Sequence, residues 1–467
     1  MRRTLLIALC LASALAAADT VDLTKMPVTP PLEPYKLPPA FETRLANGME
    51  VILVNDARFP VMQLRLGFRS GEQFDPPEIV GLADTVAALL KEGTAAHSAL
   101  EFAEALADIG GSLNASADSD SITISGNVLS ENTGRLLELA AEMVRSANFP
   151  DEEIALRKQN RIQELQQELS DPAVVVDAKL HEVVFGDHPY SRFLPTPESI
   201  GRISREELVK FRDTHLAPNN AVLVLVGPVA DRDATLKMIE SRFGDWKRHD
   251  VPAAPKADFP ERKRTMTLVD RPGSVQADVR AGGLAVNQKD PRYYPLLLAN
   301  TILGGGTSSR MFRTIREEKG YAYDAHSELS GFDETGLFTA VTQVRNDVAQ
   351  PGVQAVLDEM RRMGSEPVPA EEIEAAKNYR TGLFAVGLET PSGVAGSLVA
   401  ARLRGLPSDY LEKYIARIQA VTAEQIGEAA KEFMDPAKSA IVVVGDASKV
   451  AEPLGKLGEW KTDKVTP

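Results

Sequence analysis

Two stretches decide how this chain folds: Ile203 to Pro228, ISREELVKFRDTHLAPNNAVLVLVGP, and Val421 to Asp446, VTAEQIGEAAKEFMDPAKSAIVVVGD. Each reads as a capped helix, an x-Pro turn, an apolar strand and a glycine stop. The turn prolines Pro218 and Pro436 are 218 positions apart, and so are the terminal glycines Gly227 and Gly445. A second pair keeps almost the same interval: PDEEI at Pro150 and PAEEI at Pro369 lie 219 apart, and each opens a long helix. Two matches at nearly one offset mean an internal duplication.

Working outward, each half runs strands, helices, strands, helices and a final strand. In the first half Val51 to Val54 and Met62 to Phe68 read as paired strands, with a turn at Asp56 to Phe59. Helices are predicted over Ile79 to Lys91, Leu100 to Ile109, Thr133 to Ser146 and Asp151 to Leu169. Ser121 to Val128 alternates as a strand. Clustered hairpins with helices to one side predict α+β architecture rather than a doubly wound parallel sheet. The expected fold is two homologous halves, each an antiparallel or mixed sheet flanked by helices on one face, together forming a clamp or chamber. The first half is placed at 40–248, a linker carrying Pro252, Pro255 and Pro260 at 249–261, and the second half at 262–467.

A chain of 467 residues exceeds what one hydrophobic core usually sustains, which agrees with two domains. Hydrophobic residues are 43% and charged residues 25%, ordinary for a globular protein. The formal net charge of −14 argues against a nucleic-acid footprint and against general attraction to anionic membrane surfaces.

The first 18 residues read as a signal peptide: Arg2 and Arg3, then an apolar run from Leu5 to Leu11, then small residues to Ala18. The lone cysteine, Cys10, lies inside it, so the mature chain is expected to have no disulfide, no thiol nucleophile and no thiolate metal site. Residues 19–39 are proline-rich and predict an extended arm. No later segment approaches the roughly 20 apolar residues that span a bilayer. An exported protein follows, with a bacterial periplasm as the simplest compartment.

The stretch GLADTVAALLKEGT, Gly81 to Thr94, resembles the active-site helix of the pitrilysin-type (M16, inverzincin) peptidases. There G-x-A precedes H-x-x-E-H and G-T closes the helix. In that motif two histidines on one helix face hold zinc, the glutamate activates the bound water, and a second glutamate on a later helix completes the ligand set. At the motif positions this chain carries Asp84, Ala87 and Ala88, and Glu164 lies near the place of the later glutamate. Ala88 has no donor atom and Ala87 no base. Asp84 and Glu164 would offer two carboxylates and no imidazole; Asp84 otherwise reads as a solvated or salt-bridged helix residue.

None of the six histidines (His97, His181, His188, His215, His249 and His326) pairs with another at helical ligand spacing. No G-x-S-x-G elbow and no Walker loop is present. The resemblance therefore implies a chain with no catalytic centre and no metal of its own.

The second half carries LGGGTSSRMFRTIREEKGYAY, Leu303 to Tyr323, which closely resembles the C-terminal signature of the same family. Residue by residue, the family's arginine falls on Arg316 and its tyrosine on Tyr323. The resemblance implies that these two hydrogen-bond substrate near the scissile bond and stabilise its tetrahedral intermediate. A rigid guanidinium fork and a directional phenol suit that task, and such donors can be worth roughly 3 kcal/mol each. Gly304, Gly305 and Gly306 would let an extended substrate approach the backbone.

Some members of the family work as heterodimers, with zinc on one subunit and the arginine–tyrosine pair on the other. The resemblance thus implies a non-catalytic, peptide-binding subunit beside a zinc-bearing homologue. A purely structural core protein of the same fold is the second reading.

Overall fold

The structure is a computed structural model describing residues 38–464. The expected signal peptide and most of the proline-rich arm lie outside the described residues. Two six-stranded sheets organise the chain. The first contains β1 (Ala40–Arg44), β2 (Glu50–Asn55), β3 (Val61–Phe68), β4 (Ser112–Ala117), β5 (Ile122–Leu129) and β6 (Ala221–Gly227), in the order β1-β2-β6-β3-β5-β4. The second contains β7 (Thr265–Asp270), β8 (Gln276–Ala285), β9 (Ala322–Gly331), β10 (Gly336–Arg345), β11 (Ala440–Gly445) and β12 (Lys461–Lys464), in the order β12-β7-β11-β8-β10-β9.

Setting aside the outermost β1 and β12, the two orders are the same, which is the duplication read from the sequence. Its landmarks recur as structure. Ser204 and Thr422 cap the helices Arg205–His215 and Ala423–Phe433, and Pro218 and Pro436 open the short turns into β6 and β11. The outer strands break the symmetry: β1 runs antiparallel to β2, whereas β12 runs parallel to β7.

The expected hairpin of Val51 to Val54 with Met62 to Phe68 is a misreading. Both segments are strands, but β6 lies between them, parallel to β2 and antiparallel to β3. A short polar turn looks the same in sequence whether its strands pair directly or leave room for a third. The helix expected over Ile79 to Lys91 is shorter, Leu82–Leu89, and begins after Gly81 at φ 95°.

The inserted strands explain an odd feature of composition. AVLVLVG and AIVVVG show no alternation, and every residue of both strands is buried. Such a run marks a strand covered on both faces. In the first sheet Val51, Leu53, Leu223 and Leu225 pack against first-half helices. Ile52, Val54, Val222, Val224 and Val226 face the other way, in a core shared with Val394, Leu398 and Val399 of the second-half helix Pro391–Leu403. The second sheet mirrors this: Val442 and Val444 pack with Val176, Leu180 and Phe185 of the first-half helix Pro172–Phe185.

The halves therefore exchange helices across their inner faces. Each exchanged helix has proline at its first position and a side-chain cap before it, Asp171 to Ala173 N at 2.9 Å and Thr390 to Gly393 N at 3.0 Å. Burying a side chain such as Leu180 or Phe185 contributes roughly 1.5–3 kcal/mol, so the halves are joined by core and not by the linker alone. Even the linker is anchored: Phe259 stacks on His188, ring centroids 4.5 Å apart.

Candidate functional site

The helix Leu82–Leu89 packs beside edge strand β4 and against the long helix Asp151–Ser170. That contact brings Asp84 to Glu164, and a residue not singled out from sequence stands between them. Arg157 donates from Nη2 to Asp84 Oδ2 at 2.8 Å and from Nη1 to both Glu164 oxygens at 3.0 Å. Burial works against the Arg157 charge, but its bonds to Asp84 and Glu164 outweigh it and raise its pKa. Arg161 donates to Glu168 at 3.0 Å beside it.

Arg157 and Glu164 are seven residues apart, two helical turns, so they share a face. That spacing was the available signal. Glu72 adds a further acid here, its pKa pushed up to about 7 by burial and then by Asp75, Asp84 and Asp118.

These residues do not fit zinc. Ala87 is 2% exposed and, like Ala88, supplies no donor. The two carboxylates already neutralise a fixed guanidinium. Among the described residues no group of three or more His, Cys, Asp or Glu side chains is placed to hold a metal ion.

The second cluster forms where the π-helical segment Phe312–Glu318 meets β9. Such segments are rare and favour functional sites. Gly320, at φ 62°, ends the segment. Phe312 and Arg316, four apart, share a face, and the Arg316 guanidinium lies 4.7 Å from the Phe312 ring centroid and 4.6 Å from that of Tyr323. The strand places Tyr323 by a bulge. Thr342 pairs with Ala325 and Val344 with Ala322, which leaves Tyr323 and Asp324 opposite Gln343 alone. Tyr323 is 82% exposed.

Strand β9 is the sheet's edge, so one side of its backbone pairs with β10 and the other has no strand neighbour among the described residues. Along it His326 lies between Asp324, at 2.7 Å, and Glu328, at 3.2 Å. The bond to Glu328, opposed by burial and aided by Asp324, raises the His326 pKa. The other histidines serve the fold; His181, for example, bonds the Tyr190 carbonyl at 3.0 Å.

The glycines divide by role. A Cβ at Gly304 would lie 2.1 Å from Ser327 N, and one at Gly305 2.6 Å from Thr301 Cα. The close approach at Gly304 is thus made by this chain's own β9, not left for an extended substrate as its sequence suggested. Gly306 is open, its nearest neighbour being the Tyr379 hydroxyl at 3.9 Å. Gly305 and Gly306 line a cavity of about 810 Å³ with Ser309, Arg313 and Tyr379. The structure joins Asp84 to Glu164 and Arg316 to Tyr323. Among the described residues no hydrogen bond, ion pair or ring contact links the first pair to the second.

Residues 50–198 match a family model described as insulinase (peptidase family M16), and residues 202–380 match one described as the peptidase M16 inactive domain. The chain belongs to the M16 peptidase family. Its M16 relatives include a Bacillus subtilis protein called uncharacterized zinc protease YmxG, 23% identical over 389 residues, covering 83% of this chain and 94% of the relative. A Rickettsia bellii protein, also called an uncharacterized zinc protease, is 28% identical over 342 residues, covering 72% and 80%. Among solved structures, the peptidase M16 inactive domain from Pseudomonas fluorescens superposes with TM-score 0.80 at 25% identity, covering 87% of this chain and 98% of that one. A Helicobacter pylori protease shares the fold with TM-score 0.80 at 21% identity, covering 88% and 100%. No single helix among the described residues is long and apolar enough to cross a membrane.

Proposed function

We propose that this chain is the substrate-binding, non-hydrolytic subunit of a two-subunit M16 metallopeptidase, complementing a zinc-bearing homologue. The supporting observation is the contrast between its two clusters. Arg157 fills the corner where the family's ligands would lie, whereas the half-buried Arg316 stacks on the exposed Tyr323 beside the outer edge of β9. Apart from its two aromatic contacts, the Arg316 side chain has no hydrogen bond or ion pair among the described residues, so its N–H groups are free to donate to a substrate.

An extended peptide would add to the outer edge of β9. Arg316 and the Tyr323 hydroxyl would then donate to the carbonyl under attack as its oxygen gains negative charge. The partner supplies the hydrolytic chemistry through its bound zinc. The basic, apolar and small-residue order of residues 1–18 supports export to a bacterial periplasm, where the pair would act on peptides.

The test is reconstitution with a homologue from the same organism that carries intact H-x-x-E-H. This chain alone should cleave no peptide, and the mixture should. Arg316→Ala should lower turnover of the mixture roughly a hundredfold and Tyr323→Phe roughly tenfold, with co-elution of the subunits unchanged. Full turnover by both variants would favour the structural-core reading. Chelator-sensitive cleavage by the isolated chain would refute the assignment.

A further inference from the structure

The turn joining β4 to β5 and the turn joining β9 to β10 are counterparts in the two halves, and they meet. Asp333 N donates to Asp120 Oδ2 at 2.9 Å. Together with the exchanged helix Pro391–Leu403 they border a cavity of about 300 Å³, the size of a small-ligand site. Neither cluster described above contributes to it.

Its floor is apolar, made by Val399 and Leu403. On the first-half side stands Arg65, whose Nη1 donates to the Leu64 carbonyl at 2.9 Å and Nη2 to Ser392 Oγ at 2.7 Å. No carboxylate lies within ion-pair distance of Arg65 among the described residues, and burial lowers its pKa. Arg404 also lines the cavity and, among the described residues, its side chain bonds a neutral partner, Gln288 Oε1 at 3.1 Å.

The lining also carries carboxylates. Asp120 is held by the Tyr190 hydroxyl at 2.5 Å and by Gln73 at 2.9 Å. The Asp333 carboxylate has no hydrogen bond among the described residues; its Oδ1 is sealed from solvent, which leaves Oδ2 for a ligand, and Lys289 and Arg404 act on it through space. Burial pushes the Asp120 pKa up to about 6 and raises that of Asp333.

Two guanidinium groups with no hydrogen-bonded carboxylate partner among the described residues, and the carboxylates of Asp120 and Asp333, thus line one small cavity. An inorganic anion would face Asp120 and Asp333, and a simple cation would face Arg65 and Arg404. A molecule carrying one ammonium and one carboxylate answers each. We propose that this cavity binds a zwitterionic α-amino acid or dipeptide, its carboxylate on Arg65, its ammonium on Asp333 and an apolar side chain over Val399 and Leu403. Since Arg65 belongs to the first half and Asp333 to the second, such a ligand would also brace the halves against each other.

Calorimetric titration and thermal melting of the full chain with L-leucine, alanyl-leucine, leucinamide and N-acetylleucine test this. Either zwitterion should bind saturably and raise the melting temperature. Leucinamide and N-acetylleucine, each lacking one charge, should bind roughly tenfold more weakly or worse. Arg65→Met and Asp333→Asn should weaken the zwitterions by a similar factor. Binding of leucine but not the dipeptide identifies a free amino acid as ligand, and the converse identifies a dipeptide. No saturable binding of either zwitterion, or equal binding of the two singly charged analogues, overturns the proposal; this ligand series needs no variant to fold.

Discussion

The two halves place a short helix against a long one at the same point of the repeat, yet the two contacts differ in kind. In the first half, Leu82–Leu89 meets Asp151–Ser170 through the charged bridge Asp84–Arg157–Glu164. In the second, Tyr293–Gly304 is buried at every residue against Ala370–Gly387, where the link is Arg380 Nε to Thr301 Oγ1 at 2.6 Å. The first corner spends its polar groups internally. The second packs on apolar surface and leaves Arg316 half-buried without a hydrogen-bonded partner among the described residues, stacked on the exposed Tyr323 of β9. One scaffold thus carries a closed corner and a presenting one, because the fold requires the helix contact but not its chemistry.

The sharpest way to break this contrast is at Gly304. Gly304→Ala drives a methyl into the β9 backbone at Ser327 and should cost about 3 kcal/mol of unfolding free energy by urea titration; an unchanged midpoint would mean that β9 is not held there.

Next comes pH. The Glu72 carboxyl titrates higher folded than unfolded, so the folded chain binds the extra proton and this group's contribution is lost as pH rises from about 4.5 to about 7. Glu72→Gln should remove a decline on the order of 2 kcal/mol between pH 5 and pH 8, measured as urea midpoints at both values.

A smaller effect is expected for Arg157→Ala, about 1 kcal/mol because Asp84 and Glu164 are partly exposed. Turnover of the reconstituted mixture should stay unchanged. A turnover loss as large as that of Arg316→Ala would erase the distinction between the corners. Least of all, Gly306→Ala meets open space and should shift stability by less than about 0.5 kcal/mol.

Much of this was legible in the sequence because it is local. Caps, x-Pro turns and apolar runs recur at a fixed offset, and each is decided within a few residues of itself. The missing donors at Ala87 and Ala88 are likewise chemical facts that no fold can repair. The Arg316–Tyr323 pair came through its resemblance to a family signature, and the structure brings the two side chains together. Arg157 was within reach, since its seven-residue spacing from Glu164 fixes a shared face, but nothing local names Asp84 as its other partner.

The amino-acid order alone determined the duplication, the α+β class and the absence of donor side chains at Ala87 and Ala88. Only the tertiary structure decided that β6 and β11 slide between strands that look like neighbours, that each half lends a helix to the other, and that the Arg157 guanidinium joins Asp84 to Glu164. The physical reason is range. Periodicity and capping act over a turn or two, whereas strand order and charge pairing are set by residues tens to hundreds of positions apart, whose contacts become favourable only once both partners are folded into place.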